Sequence, residues 1–206
     1  MIYEAIVPTF ISEPEYILDF NKWLFENIRP YITGRTLEMN SGHGVMAATF
    51  VENALNIHLS ESNQALRHEL RDRLQDQKHI RLVHNIDFSS PNFDQLHLDL
   101  FSNFRTIIAT NIAEYGLYDK LSLSNANKLL KTHGKLIVAI PSFTALFEDI
   151  DISLREWKRY NRKPIRQFLS GFKILKTIIF RYADPNIIQL NDQVGYYTLV
   201  IAQKIE

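Results

Sequence analysis

Apolar residues recur at helical spacing between residues 14 and 31, at Ile17, Phe20, Trp23, Leu24 and Ile28. Ser12, with Glu15 three residues later, suits an N-cap, and Pro30 marks the stop. Arg35–Met39 then reads as a short strand, Asn40-Ser41-Gly42-His43-Gly44 as a turn, and the apolar stretch through Phe50 and Val51 as a helix. A second strand is expected at Leu55–Leu59. Ser60-Glu61 would open a charged helix running to Leu74, with Ala65, Leu66, Leu70 and Leu74 as its apolar stripe. Further strands are expected at Ile80–His84, Thr106–Thr110 and Lys135–Ile140; the last two are nearly continuous apolar runs, as in strands buried on both faces. Leu117–Lys131 between them reads as a helix with a basic end and Gly134 as its terminal turn. In the last third Arg162–Leu169 reads as a helix. Gly171 follows, then two β-rich runs, Phe172–Tyr182 and Tyr196–Gln203, expected to pair antiparallel.

Helices alternating with buried strands predict a doubly wound α/β fold: a mostly parallel, seven-stranded sheet with an antiparallel C-terminal strand. One domain accounts for residues 1–206, with a helical lead-in over 1–33, a core over 34–141, and a C-terminal helix and β-hairpin over 142–206. Ligands of such sheets bind beyond the carboxyl ends of the strands. The loops of interest therefore end at Gly44, His58, Asp87 and Asn111.

Composition narrows the chemistry. Lys+Arg and Asp+Glu are equal at 23 each, so no overall field favours nucleic acid or an anionic membrane. The absence of cysteine excludes disulfides, thiolate metal sites and cysteine nucleophiles. No HxH or HxxxH pair occurs among the seven histidines, so no metal is expected. With no secretory pattern at the start and no bilayer-length apolar run, a cytoplasmic location is the expectation.

The chemistry concentrates at Glu38-Met39-Asn40-Ser41-Gly42-His43-Gly44, where two glycines stand between a strand and a helix. Glycines there permit positive φ and a close ligand approach, and the helix start offers N–H donors; a tight turn without a ligand uses the same residues. The segment resembles the first motif of the class I S-adenosylmethionine-dependent methyltransferases, an acidic residue followed by x-G-x-G-x-G. Asn111-Ile112-Ala113-Glu114-Tyr115 is similar to their N-V-L-E-H region, and Lys131 to Pro141 to their P-G-G-x-L-x-x-x-x-P stretch. Asp151 to Phe172 is similar to a later segment of the same family, so the resemblance runs in order over roughly residues 20 to 203.

The resemblance implies a Rossmann-like fold, S-adenosylmethionine as cofactor and methyl transfer to a small-molecule acceptor. Glu38 would organise the loop and the cofactor's amino acid end, with Asn40, Gly42 and Gly44 presenting backbone to it. His58 stands where the family has a ribose-binding acid, Asp87 near the adenine, and Asn111 beneath the methionine portion. Tyr115 would face the acceptor. Trp157, Arg159 and Tyr160, within a basic and aromatic cluster, are candidates for holding an anionic acceptor; a solvated helix face is their plain alternative.

This sequence departs from the pattern at two of these positions. Asn40 replaces the first glycine, and Asn is the side chain that best tolerates left-handed backbone. His58 replaces a carboxylate and offers one acceptor nitrogen where the acid offers two oxygens. Glu61 is a substitute acid or, more simply, a helix first-turn carboxylate. An alignment on Val83 puts Ile86 at the usual acidic position, and a one-residue shift brings in Asp87. These departures keep a second reading open, a catalytically inactive binding or scaffold protein of the same fold. A nucleotide-binding relative fits less well, since no GxGxxG occurs.

Overall fold

The computed structural model describes residues 15–74, 76–110, 120–141, 169–182 and 195–205. The lead-in helix α1 (Glu15–Ile28) is followed by a short 3-10 turn at Arg29–Tyr31. Alternation then sets in: β1 (Thr36–Glu38), α2 (Val45–Glu52), β2 (Ile57–Ser60), α3 (Gln64–Leu74), β3 (Ile80–His84), α4 (Phe93–His97) and β4 (Phe104–Ala109). After α5 (Lys120–Leu129) come β5 (Leu130–Pro141), β6 (Phe172–Tyr182) and β7 (Gly195–Lys204).

The seven strands form one sheet in the order β3-β2-β1-β4-β5-β7-β6. The first five are parallel, while β7 runs antiparallel between β5 and β6. The chain steps outward from β1 to β3, returns to β4 and steps outward again. The reversal of strand order therefore falls between β1 and β4, where such sheets bind ligands.

Alternation along each strand feeds two cores. Ile57 and Leu59 of β2, Ile108 of β4 and Ile137 of β5 pack against Leu24 and Ile28 of α1, Phe50 of α2 and Leu70 of α3. On the opposite face Leu37, Ile107, Leu136 and Val138 meet Phe93 of α4 and Leu123, Ala126 and Leu129 of α5. A parallel sheet covered on both faces is what near-continuous apolar runs dictate.

Several element boundaries differ from the sequence expectation. Ser60 remains in β2, bonded to the first loop, so α3 starts at Gln64 rather than at Ser60-Glu61. Asn63 caps it, its Oδ1 accepting the N–H groups of Ala65 and Leu66 at 2.9 and 3.2 Å. The helix expected to reach Lys131 ends at Leu129, and Gly134 is not its terminal turn but a residue inside β5. A Cβ there would come within 2.8 Å of the Lys131 carbonyl oxygen, so close packing rather than φ requires this glycine. The Ser12 cap and the helix up to Phe168 lie outside the described residues. No helix among the described residues is long and apolar enough to cross a membrane.

Candidate functional site

The Asn40–Gly44 loop leaves the carboxyl end of β1 directly beside the reversal point. Three of its residues hold left-handed backbone, Asn40 at φ 54°, Gly42 at 53° and Gly44 at 82°. Asn40 thus adopts the geometry of the glycine it replaces, and its side chain is tucked in, only 4% exposed. Gly44 has a packing role as well: a Cβ would sit 2.7 Å from Leu70 Cδ2 on α3.

The N–H groups of this loop are largely engaged within the protein. Asn40 donates to Ser60 Oγ at 3.3 Å, Ser41 to the Ser60 carbonyl at 2.8 Å, and Gly44 to the Ser41 carbonyl at 2.8 Å. The Gly42 N–H donates to Glu61 Oε2 at 2.9 Å, while Glu61 Oε1 accepts the Asn63 N–H at 2.8 Å. Glu61 is therefore neither an exposed first-turn carboxylate nor an idle neighbour. It is buried at the end of β2 and ties the glycine loop to the start of α3.

Beneath the loop lies a set of polar atoms with unmet needs. Glu38 is fully buried, and among the described residues its carboxyl oxygens have only the nearby Ser41 hydroxyl beside them, with no well-formed hydrogen bond. Asn40 Nδ2, Ser41 Oγ and Thr110 Oγ1 are likewise buried without one. All four residues stand at the carboxyl ends of β1 and β4. Burial pushes the Glu38 carboxyl up to about 8; the nearby Ser41 hydroxyl draws it part of the way back, and the Glu61 charge adds to the rise. Unpaired polar groups in a native interior are costly and rare.

His58 sits in β2 opposite Leu37 of β1. Its Nδ1 is 3.0 Å from His84 Nε2, the rings stack at 5.2 Å, and Phe104 meets the His58 ring edge-on. Burial, followed by the Arg35, His84 and Arg81 charges, lowers the His58 imidazole to about 4, and His84 is lowered too, by burial first and Arg35 next. The pair is neutral at physiological pH, one ring donating to the other.

His84 also lines a groove of about 730 Å³ along β3, with Arg35, Asp87, His97, Asp99 and Asn103 among its walls. Asp87 is exposed there, its Oδ1 accepting the Ser89 N–H at 2.9 Å and hydroxyl at 2.6 Å, whereas Ile86 is fully buried. The groove does not include the glycine loop. Asn111, Tyr115, Trp157, Arg159 and Tyr160 lie outside the described residues. Sequence reasoning passed over Ser60, Thr110 and His84; only their places at strand ends signalled them.

No protein-family model matches the sequence, and no curated protein matches it. Solved structures do. The cyclase SpnF superposes with a TM-score of 0.66 at 15% identity, over 91% of this chain and 80% of that one. Phosphoethanolamine N-methyltransferase 2 of Haemonchus contortus, solved with phosphomonomethylethanolamine and S-adenosylhomocysteine, gives 0.66 at 14% identity over 99% of this chain and 57% of its own. The N-methyltransferase NodS of Bradyrhizobium japonicum gives 0.62 at 13%, over 95% and 100%. This chain has the methyltransferase fold. Within it, the Asn40–Gly44 loop is the turn between the first strand and the following helix, and the unpartnered polar atoms cluster at the strand-order reversal. A cyclase of similar structure shows that the methyltransferase fold alone does not specify methyl transfer.

Proposed function

We propose that this chain binds S-adenosylmethionine at the β1–β4 reversal and transfers its methyl group to a small-molecule acceptor. The observation that carries this reading is the cluster of buried polar atoms on Glu38, Asn40, Ser41 and Thr110 without well-formed hydrogen bonds among the described residues. A ligand with an amino acid end offers the donors and acceptors that these atoms lack, so the residues fit the group. When bound, this cofactor supplies a methyl group activated on a sulfonium sulfur.

The chain's own residues position it. Glu38, with Asn40, Ser41 and Thr110, holds the amino acid end. Gly42 and Gly44 keep the turn tight above, and Glu61 fixes that turn through the Gly42 N–H. Asp87 is assigned to the adenine side, and His58 stands in β2 on the ribose side, paired with His84. Asn111 is assigned to the cofactor side and Tyr115, Trp157, Arg159 and Tyr160 to the acceptor side. Catalysis in such a site is chiefly the alignment of a nucleophile with the methyl group. The balanced charge of the chain supports a small acceptor over nucleic acid or a membrane, and a cytoplasmic setting accords with the lack of cysteine.

A second reading, a binding or scaffold protein that has lost the cofactor, is favoured by one specific feature. The Gly42 N–H and the His58 Nδ1 are both committed within the protein. Isothermal titration with S-adenosylmethionine and S-adenosylhomocysteine separates the two. One-site binding of both supports the enzyme, and no binding at millimolar ligand leaves the scaffold.

A further inference from the structure

We infer that two copies of this chain associate about a two-fold axis through the groove along β3, Arg35 of each copy pairing with the partner's Asp99. The groove is walled by Arg35 just before β1, Leu82 and His84 of β3, and Leu96, His97 and Asp99 of the stretch between β3 and β4. Leu98, Leu96 and Leu82 are 69%, 61% and 56% exposed, more than any other large apolar side chain among the described residues. Leu82 and Leu96 line the groove, and Leu98 stands between His97 and Asp99, which line it as well. Single exposed leucines are ordinary, whereas three gathered at one groove form the apolar patch of an interaction site.

The charges say what covers it. Arg35 is exposed, donates to Asn103 Oδ1 at 2.9 Å and lies 5.0 Å over the Phe104 ring. Bond and ring fix the guanidinium, which pairs with no carboxylate among the described residues. Asp99 is exposed too and pairs with no cation there. Behind the larger effect of burial, Arg35 lowers the His84 imidazole and Asp99 raises it, so both charges stand near that ring. Asp87, the other acid of the groove, is held by the Ser89 N–H and hydroxyl. A groove with one unpaired charge of each sign is self-complementary, because a two-fold axis brings each to its opposite on the other copy. With 23 basic and 23 acidic residues, two copies also approach without net repulsion.

Leu96, Leu98 and Asp99 belong to one short ridge, Phe93–Leu100, while Arg35 and Leu82 belong to the strand side of the groove. Ridge into groove, repeated by the two-fold, covers the leucines of both copies and closes two ion pairs. β3 is the edge of the sheet, yet its Val83 carbonyl accepts a hydrogen bond from Arg71 at 3.0 Å. An edge occupied in this way opposes extension of the sheet by strand pairing, so side chains make the contact. The glycine loop is not part of the groove, and association leaves it open.

Sedimentation equilibrium of the full chain tests the contact. The wild type should reach twice the chain mass, and the dimer should weaken as salt rises. Arg35→Asp and Asp99→Arg, with folds checked by circular dichroism, each turn both ion pairs into like-charge pairs. Each should weaken association at least about a hundredfold. An equimolar mixture of the two variants should return to the dimer, since every residue 35 then meets an opposite charge at residue 99. Leu96→Asp should be monomeric, whereas Leu175→Asp, at an exposed leucine on β6 at the far end of the sheet, should dimerise as the wild type does. A wild-type chain that stays monomeric at millimolar concentration overturns the dimer. A dimer that survives both charge reversals, or two folded variants that stay apart when mixed, overturns the Arg35–Asp99 contact.

Discussion

The Glu61 carboxylate accepts the N–H of Gly42 at 2.9 Å and with its other oxygen that of Asn63 at 2.8 Å. One buried side chain therefore holds the turn after β1 against the start of α3. Glu61→Ala leaves two N–H groups without their charged acceptor, at a cost of about 2–4 kcal/mol. Denaturant unfolding at pH 7 should show that loss. Glu61→Gln should cost less and should lower the Glu38 carboxyl, because a charge that raises it is gone.

Glu38 makes stability fall as pH rises. Its folded value of about 8 exceeds the ordinary 4.5, so between those limits the folded state binds more proton than the unfolded state. The loss amounts to about 1.4 kcal/mol per pH unit across that window and ceases above it. Glu38→Gln removes this slope. The variant should melt several degrees higher than the wild-type chain at pH 8, and the two should converge near pH 4.5.

The histidine pair acts in the opposite sense. His58 is lowered to about 4 from 6.5, so its contribution is present above 6.5 and is lost as pH falls toward 4. The loss is roughly 2 kcal/mol after allowance for partial solvation. Proton NMR of the imidazoles should show His58 neutral at pH 6. His58→Asp should place a carboxylate beside His84 and raise that imidazole, with affinity for S-adenosylhomocysteine changed by less than about threefold. A tightening of tenfold or more, as expected of a carboxylate on ribose hydroxyls, would put residue 58 on the cofactor itself.

Gly44 combines φ 82° with a 2.7 Å approach to Leu70 for any added Cβ. Gly44→Ala should therefore destabilise by about 2–3 kcal/mol, from left-handed strain plus displaced packing between α2 and α3. Asn40→Gly should stabilise by up to about 1 kcal/mol, since it relieves left-handed backbone and removes a buried amide with an unmet donor. Thermal melts of the two single variants would move in opposite directions.

The sheet was legible because its strands are dictated by apolar runs. Ile80–His84 and Phe172–Tyr182 appear with the bounds read from the sequence. Boundaries failed where a tertiary partner decided them. Ser60 stays in β2 because its hydroxyl donates to the Glu38 carbonyl at 2.8 Å, and nothing local encodes that bond. Gly134 looked like a helix terminus because glycine after basic residues is a common stop, yet β5 had already begun at Leu130 beside Phe104. At the site, glycine spacing exposed the loop, and the acidic residue before it exposed Glu38. Glu61 was ambiguous because a carboxylate near a helix start reads the same whether it faces solvent or a loop 19 residues earlier in the chain. His84 carried no signal beyond its place at the end of β3, since its pairing depends on the neighbouring strand.

The most direct measurement is a crystal structure of the chain grown with saturating S-adenosylhomocysteine. The predicted result is ligand density under the Asn40–Gly44 loop, with its amino group within about 3 Å of a Glu38 oxygen. An empty loop at millimolar ligand, or the ligand bound elsewhere with Glu38 still unpartnered, would contradict the assignment.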